Sequence, residues 1–320
     1  MRIVFMGTPC FAVPSLRILH SRGHEIALVV TQPDRRAGRG RRMRCPPVKD
    51  AAAELSLPVD QTEKVNCAEF VDRLGGIAPD VLVVVAFGQI LCEEILDIPS
   101  RGAINVHASL LPRYRGVAPI NWAIVDGETE TGVTTMLMAR KVDAGEVILA
   151  RSTPIDPNET AGELSARLAD IGAEVLAETL GLIERGNVPR IEQDPALATY
   201  ARKLRKSDGE IDWTGSARRV HDHIRGMTPW PGAHTTYRGR VLKVLRAAIG
   251  SPSGPAGSPG EIVAAADTGG IEVAVGDGTI RLLEVQPEGR SVMGAEAFAR
   301  GYRPEVGSRP FDSTAGEEGK

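Results

Sequence analysis

Short, almost uninterrupted apolar runs separated by helix-period segments constrain this chain more than any other feature. Asp80 to Ala86 reads Asp-Val-Leu-Val-Val-Val-Ala, and Arg2 to Gly7, Glu25 to Thr31, Gly102 to His107 and Gly132 to Met138 are similar runs. A run that does not alternate with polar residues is a strand buried on both faces. Helical patterns fall between most of them: one passes through Leu16 and Leu19, and a long amphipathic one spans Glu159 to Glu184, with Thr160 as N-cap and Gly186 as stop. Strand and helix alternate, which predicts an α/β architecture: a Rossmann-like, mostly parallel sheet with helices on both faces. Ligands of such sheets sit beyond the C-terminal ends of the strands.

At 320 residues the chain is long for one domain. The texture changes near residue 190. The division expected is a first domain over 1–190, a basic linker over 191–206 and a second domain over 207–310. In the last of these, short strands punctuated by glycine turns (Ala233 to Tyr237, Val241 to Ala247, Glu261 to Ala265, Ile271 to Val275, Thr279 to Val285) predict a small C-terminal β-barrel, OB-like. Gly250 to Gly260 reads as a mobile hairpin loop, and the tail from about Ser308, with 311–320 in particular, as disordered.

Net charge is only -3, so no polyanionic partner is advertised globally. Locally, Arg35 to Arg44 holds six arginines and no acid, and Ala201 to Gly250 carries 11 Lys/Arg against 4 Asp/Glu, an excess of 7. Basic surface gathered in two segments suits docking to a phosphate backbone; solvated loops are the plain alternative for either segment alone. Cys10, Cys45, Cys67 and Cys92 are irregularly spaced, which argues against zinc and against a disulfide framework and suits a reducing cytoplasm. Cys10 and Cys92 are expected in or near the core. Thr8, Pro9 and Pro14 interrupt the first apolar run before a signal peptide could develop, and no stretch long enough to span a membrane occurs.

Chemistry concentrates at Asn105-Val106-His107, where two polar side chains leave an apolar strand just before Leu111-Pro112. Residues two apart in a strand share a face. An Asn/His pair at a strand's C-terminal end can polarise a carbonyl and manage a proton in one place. Asp143, in the turn-like Lys141-Val142-Asp143-Ala144-Gly145, follows another strand and is expected to approach His107 across neighbouring strand ends; alone, it reads as a turn former. Gly7-Thr8-Pro9 lacks the further glycines of a dinucleotide fingerprint and reads as a tight strand-to-helix turn.

These residues resemble the formyltransferases that use 10-formyltetrahydrofolate. The signature Asn-x-His-x-Ser-Leu-Leu-Pro is complete at Asn105, His107, Ser109, Leu110, Leu111 and Pro112, and Phe11-Ala12, Ala86-Phe87-Gly88, and Gly116 with Ala118-Pro119-Ile120 are also similar. Gln32-Pro33-Asp34-Arg35-Arg36-Ala37-Gly38-Arg39-Gly40, Ile211-Asp212-Trp213 and Pro229-Trp230-Pro231-Gly232 resemble the tRNA-directed branch. The resemblance covers about residues 1–310. Lys141-Val142 departs from it, since the family usually has Gly-Leu before the aspartate.

The resemblance implies formyl transfer from 10-formyltetrahydrofolate to the α-amino group of initiator methionyl-tRNA, for translation initiation, by a cytoplasmic monomer without a metal. It implies a catalytic set of Asn105, His107 and Asp143, and a folate site at Phe87, Gly88, Ile90, Ser109, Leu110, Leu111, Pro112 and Val142. The tRNA contacts it implies are Arg35, Arg36, Arg39, Arg41 and Arg42 on the basic loop, with Lys203 and Lys206 in the linker. The glycines and like charges of the 35–44 loop predict that it orders only when tRNA binds. Three rival readings remain: transfer to an amino sugar or glycinamide ribonucleotide, hydrolysis of the formyl donor, and RNA binding without catalysis.

Overall fold

The computed structural model describes residues 1–37, 42–250, 257–266, 270–309 and 311–312. They form two compact units, one of Met1–Pro119, Glu130–Pro154 and Ser165–Ala201, the other of Ile120–Thr129, Ile155–Leu164 and the chain from Arg202. The units interleave, unlike the contiguous division expected at 190. The physical reason lies in the second unit's own bonding: Asn121 donates to the Gly226 carbonyl at 2.7 Å, Trp122 Nε1 to that of Arg202 at 2.8 Å, and the Gly162 amide to that of Thr228 at 3.1 Å.

The first unit carries strands β1 (Arg2–Gly7), β2 (Glu25–Thr31), β3 (Arg35–Ala37), β4 (Arg42–Arg44), β5 (Val59–Gln61), β6 (Val81–Val85), β7 (Ala103–His107), β8 (Arg115–Gly116), β9 (Glu130–Leu137), β10 (Val147–Pro154) and β11 (Tyr200–Ala201). Between them run helices α1 (Val13–Ser21), α2 (Pro47–Glu54), α3 (Ala68–Ile77) and α4 (Glu93–Leu96); α5 (Pro119–Val125) and α6 (Ala161–Glu184) each have residues in both units. The main sheet has the order β10-β9-β7-β6-β1-β2-β5. From β5 to β7 every pairing is parallel, and β9 and β10 add an antiparallel edge. β10 has no counterpart among the expected strands: its burial alternates through Arg151, Thr153 and their neighbours, as an edge strand's does.

The parallel strands supply one core face. Val4, Met6, Leu28, Val30, Leu82, Val84 and Phe87 pack with Phe70, Leu74, Leu91 and Ile95. Gly7 ends β1 because space allows nothing larger: a Cβ there would lie 2.8 Å from both Ala12 Cβ and the Phe5 ring. That is the tight turn expected, and it leaves the strand order reversing between β1 and β6. On α6, Leu164, Leu168, Leu176, Leu180 and Ile183 recur at helical spacing and are buried. Its start is a capping box, with the Glu163 amide donating to Thr160 Oγ1 at 3.3 Å and the Thr160 amide to Glu163 Oε2 at 2.9 Å.

The second unit contains α7 (Ala217–Gly226), β12 (His234–Tyr237), β13 (Arg240–Ile249), β14 (Ile262–Ala266), β15 (Gly270–Val275), β16 (Gly278–Pro287), β17 (Met293–Gly294), α8 (Ala295–Tyr302) and β18 (Phe311–Asp312). All its ladders are antiparallel, in the order β14-β15-β16-β13-β12-β18 with β17 on β16, a curled half-barrel. Phe311 and Asp312 are paired to β12, so the tail expected to be disordered begins with a strand; Phe311 stacks on Trp213 at 5.6 Å between ring centroids. Residues 313–320, and 251–256 of the expected hairpin loop, lie outside the described residues. Among the described residues no helix is long and apolar enough to cross a membrane. Cys10 is exposed rather than in the core, because it opens a turn of 3-10 helix after Pro9, and Cys92 is partly buried.

Candidate active site

Strand β7 lies between β6 and β9, with Asn105 in register with Met136 and His107 with Thr134. Val106 points into the core between them, so Asn105 and His107 share the opposite face. His107 is buried, and its Nε2 lies 2.9 Å from the carbonyl oxygen of Tyr114. A carbonyl only accepts, so Nε2 carries the hydrogen, an assignment made from its partner. The other ring nitrogen, Nδ1, faces Asp143 Oδ2 at 3.7 Å.

Asp143 reaches this face by an unexpected route. Because β9 is antiparallel to β7, its C-terminal end lies beside the start of β7, where Leu137 pairs with Ile104. The two strand ends are therefore not neighbours. Instead the connection from β9 to β10, closed by the Leu137 amide on the Glu146 carbonyl at 2.9 Å, bends back over β7. Asp143 Oδ1 accepts from Asn105 Nδ2 at 3.3 Å and Oδ2 from the Gly116 amide at 2.8 Å. Its φ of 52° is left-handed, a conformation that a side chain adopts only when its surroundings hold it there.

The holding comes from two segments. In the loop after β7, Ser109 Oγ donates to the Arg113 carbonyl at 2.6 Å, while Thr134 Oγ1 donates to the Ser109 carbonyl and accepts from the Leu111 amide. Ser109 is thus buried in the loop's own hydrogen bonding, with Leu110, Leu111 and Pro112 half-buried beside it. The second segment is 191–201, much of the expected linker. Ile191 bridges Val147, Tyr114 donates to Thr199 Oγ1 at 2.8 Å, and β11 pairs with β8, so this stretch is bonded to both sides of the site. Gln193 Nε2 donates to the carbonyls of Asp143 and Gly145 at 3.1 and 2.7 Å, and its Oε1 accepts from Arg115 Nε and Nη2 at 3.1 and 2.7 Å. Sequence reasoning gave no site role to Gln193, Arg115, Tyr114 or Thr134, although Tyr114 and Arg115 adjoin the Asn105 to Pro112 signature and Thr134 lies in an expected strand; Gln193 lies in no pattern at all.

The expected folate residues divide. Phe87 fills the core, leaving its backbone, whose carbonyl accepts from Thr8 Oγ1 at 3.0 Å. Gly88 is exposed at φ 88°, Ile90 is 69% exposed and Val142 is 53% exposed. Asn66 Nδ2 on the Ile90 carbonyl and Gln89 on Val65 and Thr62 fix that loop. An open cleft of about 770 Å³ lies beside the Asp143 turn, lined by Leu96, Ala103, Met138, Arg140, Gly145 and Arg190 among others, and none of the expected folate residues lines it. Among the described residues no group of three or more His, Cys, Asp or Glu is placed to hold a metal ion.

The basic residues are split between the units. Arg35 to Ala37 and Arg42 to Arg44 form a two-stranded antiparallel ribbon in which Arg35 stands opposite Arg44. Like charges in that position repel. Arg35 and Arg36 are exposed; Arg39 and Arg41, with the rest of 38–41, lie outside the described residues. The base of the ribbon is clamped at Asp34, which accepts from Lys49 Nζ at 2.9 and 2.8 Å and from Gln61 Nε2 at 2.7 Å. Those bonds, that of Lys49 first, hold the Asp34 carboxyl below its ordinary range. Lys203 and Lys206, both exposed, belong to the second unit, where Arg202 grips Asp208 and lowers its pKa.

Residues 1–180 match the formyl transferase family model, and 203–303 match the model of the formyl transferase C-terminal domain. The chain is 50% identical to the methionyl-tRNA formyltransferase of Geobacter sulfurreducens over 97% of its length and 96% of that protein's. It is 49% identical to that of Moorella thermoacetica over 94% and 96%. Among solved structures, the fold is similar to WlaRD, a sugar 3N-formyl transferase (TM-score 0.66, 17% identity, 91% of this chain and 99% of that one). It is also similar to HypX from Aquifex aeolicus in complex with tetrahydrofolic acid (TM-score 0.66, 18% identity, 96% of this chain and 48% of that one). With half of its residues shared along nearly the whole chain, and the Asn105, His107 and Asp143 cluster standing in the family's first domain, the chain belongs to the methionyl-tRNA formyltransferase family.

Proposed function

We propose that this protein transfers the formyl group of 10-formyltetrahydrofolate to the α-amino group of initiator methionyl-tRNA. The observation that carries the reading is the meeting of an amide, an imidazole and a carboxylate at one point of β7: Asp143 lies 3.3 Å from Asn105 and 3.7 Å from His107. In the reaction a bond forms between the amine nitrogen and the formyl carbon, the bond from that carbon to N10 of the folate breaks, and N10 takes up a proton.

Asp143 is the proton acceptor for the attacking amine, directly or through a water. His107 stands behind it, so positive charge on the ring is stabilised by the carboxylate as the proton moves. One N–H of the Asn105 amide is engaged by Asp143, and the other donates to the oxygen that becomes negative at the formyl carbon. The Nε2 hydrogen of His107 is engaged by the Tyr114 carbonyl, so the ring acts through Asp143 rather than on that oxygen directly. Because the cluster is mostly buried, these charges act in a medium that screens them weakly.

The donor's flat polar ring needs aliphatic walls and backbone hydrogen-bonding groups. Ile90 and Val142 supply exposed aliphatic surface, and Phe87 and Gly88 supply backbone, with Ser109 to Pro112 as the adjoining loop. On the acceptor side, Arg35, Arg36, Arg39, Arg41 and Arg42 take phosphates of the acceptor arm, and Lys203 and Lys206 of the second unit are further phosphate contacts. The unit that holds Asn105, His107 and Asp143 is the catalytic one and the unit that holds 207–310 contributes to tRNA binding; the protein works as a monomer in the cytoplasm and needs no metal.

The experiment is to incubate the protein with 10-formyltetrahydrofolate labelled in the formyl group, offering methionyl-tRNA, small amines or water in turn. Label on the α-amine of methionyl-tRNA supports the reading. Release as formate, or preferential transfer to an amino sugar, overturns it.

A further inference from the structure

We propose that Gln193 is a positioning residue for the reaction: its amide holds the turn that presents the Asp143 carboxylate. The inference rests on the reading of Asp143 as proton acceptor and assigns a role to a residue 50 positions away in the chain.

Three observations converge. Gln193 uses both ends of its amide at once, donating to the carbonyls of Asp143 and Gly145 and accepting from two nitrogens of Arg115. The turn it grips is held in a left-handed conformation at a non-glycine residue, Asp143, which relaxes unless something opposes it. Arg115 is buried and sits in the two-residue strand next to Gly116, whose amide donates to Asp143 Oδ2. A single glutamine therefore ties the backbone of the acceptor residue to the strand that hydrogen-bonds its carboxylate.

Gln193 hydrogen-bonds the backbone of the turn, at the carbonyls of Asp143 and Gly145, and so acts through Asp143. Without its two donated bonds the carbonyls of Asp143 and Gly145 lose their partner. The turn then rotates, moving Oδ1 and Oδ2 relative to Asn105 and His107. Displacements of that kind, about 1 Å, cost catalysis up to about 100-fold without removing any reacting group. Ile191 on Val147 and β11 on β8 bracket the glutamine, so the rest of the segment remains attached when the side chain changes.

Gln193→Glu is the informative variant. It keeps an acceptor for Arg115 but has no N–H for the two carbonyls. The expected result is a fall in kcat of about 10- to 100-fold, with KM for methionyl-tRNA and for the formyl donor within about 3-fold and the melting temperature little changed. Gln193→Leu, which can neither donate to the turn nor accept from Arg115, should lose at least as much kcat. A Gln193→Glu enzyme with wild-type kcat overturns the inference, as does a loss that falls on KM or on the melting temperature rather than on kcat, which indicates packing alone. Asp143→Asn is measured alongside. If it turns over normally, the reading of Asp143 has failed; if it is inactive while Gln193→Glu is normal, only the role of Gln193 has failed.

Discussion

His107 donates from Nε2 to the carbonyl of Tyr114 at 2.9 Å, which turns Nδ1 toward Asp143 Oδ2 at 3.7 Å. The backbone of one loop thereby fixes which nitrogen of the imidazole meets the carboxylate, as the outer partners of functional histidines commonly do. With the ring so oriented and buried, Asn105 is the more accessible of the pair, and it is the side chain expected to meet the developing oxyanion.

Asn105→Ala should therefore lower kcat by about 100- to 1000-fold, the usual cost of one oxyanion donor, with the melting temperature nearly unchanged because the residue is only partly buried. Steady-state formyl transfer to methionyl-tRNA measures this. Near-normal turnover in a folded variant would remove Asn105 from the mechanism.

Arg36→Ala should raise KM for methionyl-tRNA and leave KM for the formyl donor alone. The residue is exposed on the ribbon whose facing strands set Arg35 against Arg44. Removing one arginine that neutralises a phosphate should reduce the steepness of the log K against log salt plot by about one unit. Equal damage to both substrates would instead point to misfolding of the ribbon's base at Asp34.

Much of this is legible in the sequence, and the boundary between what is and is not is physical. Val81 to Val85 and Ile3 to Gly7 are buried on both faces, so composition alone marks them as parallel strands. Thr160 and Glu163 are three residues apart, and a capping box is a local pattern. Asn105 and His107 share a face through strand period alone. The route of Asp143 departs from the expected one because strand direction is set by non-local pairing, and nothing within Glu130 to Leu137 says that its partner runs the other way. Gln193 is invisible for the same reason. Its bonds cross 78 residues to Arg115 and 50 to Asp143, and a lone glutamine in a polar stretch has no periodicity to betray it. Arg39 and Arg41 fall outside the described residues, so their placement rests on sequence.

The cap of α6 makes a pH prediction. The Thr160 amide and hydroxyl, and then Arg246, hold the Glu163 carboxyl down from its ordinary value of 4.5 to about 2. A carboxyl depressed in the folded state contributes stability that is fully present above its unfolded value and is lost as pH falls through its folded value. Glu163→Gln should thus melt below wild type at about pH 6, with the difference closing between about pH 4.5 and pH 2. Thermal melts across that range test it, and a difference independent of pH would mean that the cap does not depend on the charge.

Gly145→Ala tests whether the hairpin carrying Asp143 tolerates any change of shape. A Cβ at this position would collide with the carbonyl oxygen of Leu137, which is backbone and cannot swing aside as a side chain would. Gly145 also offers its carbonyl to Gln193, so a shift of the turn pulls on the same bonds that hold Asp143. Overpacking of this kind costs about 1–3 kcal/mol. Because the strain falls on the turn rather than on the parallel core, kcat should drop at least about 10-fold even at temperatures well below the melting point, by the misplacement argument that applies to Asp143. Loss of stability alone, with full turnover well below the melting point, would show that the carboxylate keeps its place when the hairpin moves and that its hold comes from Gly116 and Asn105.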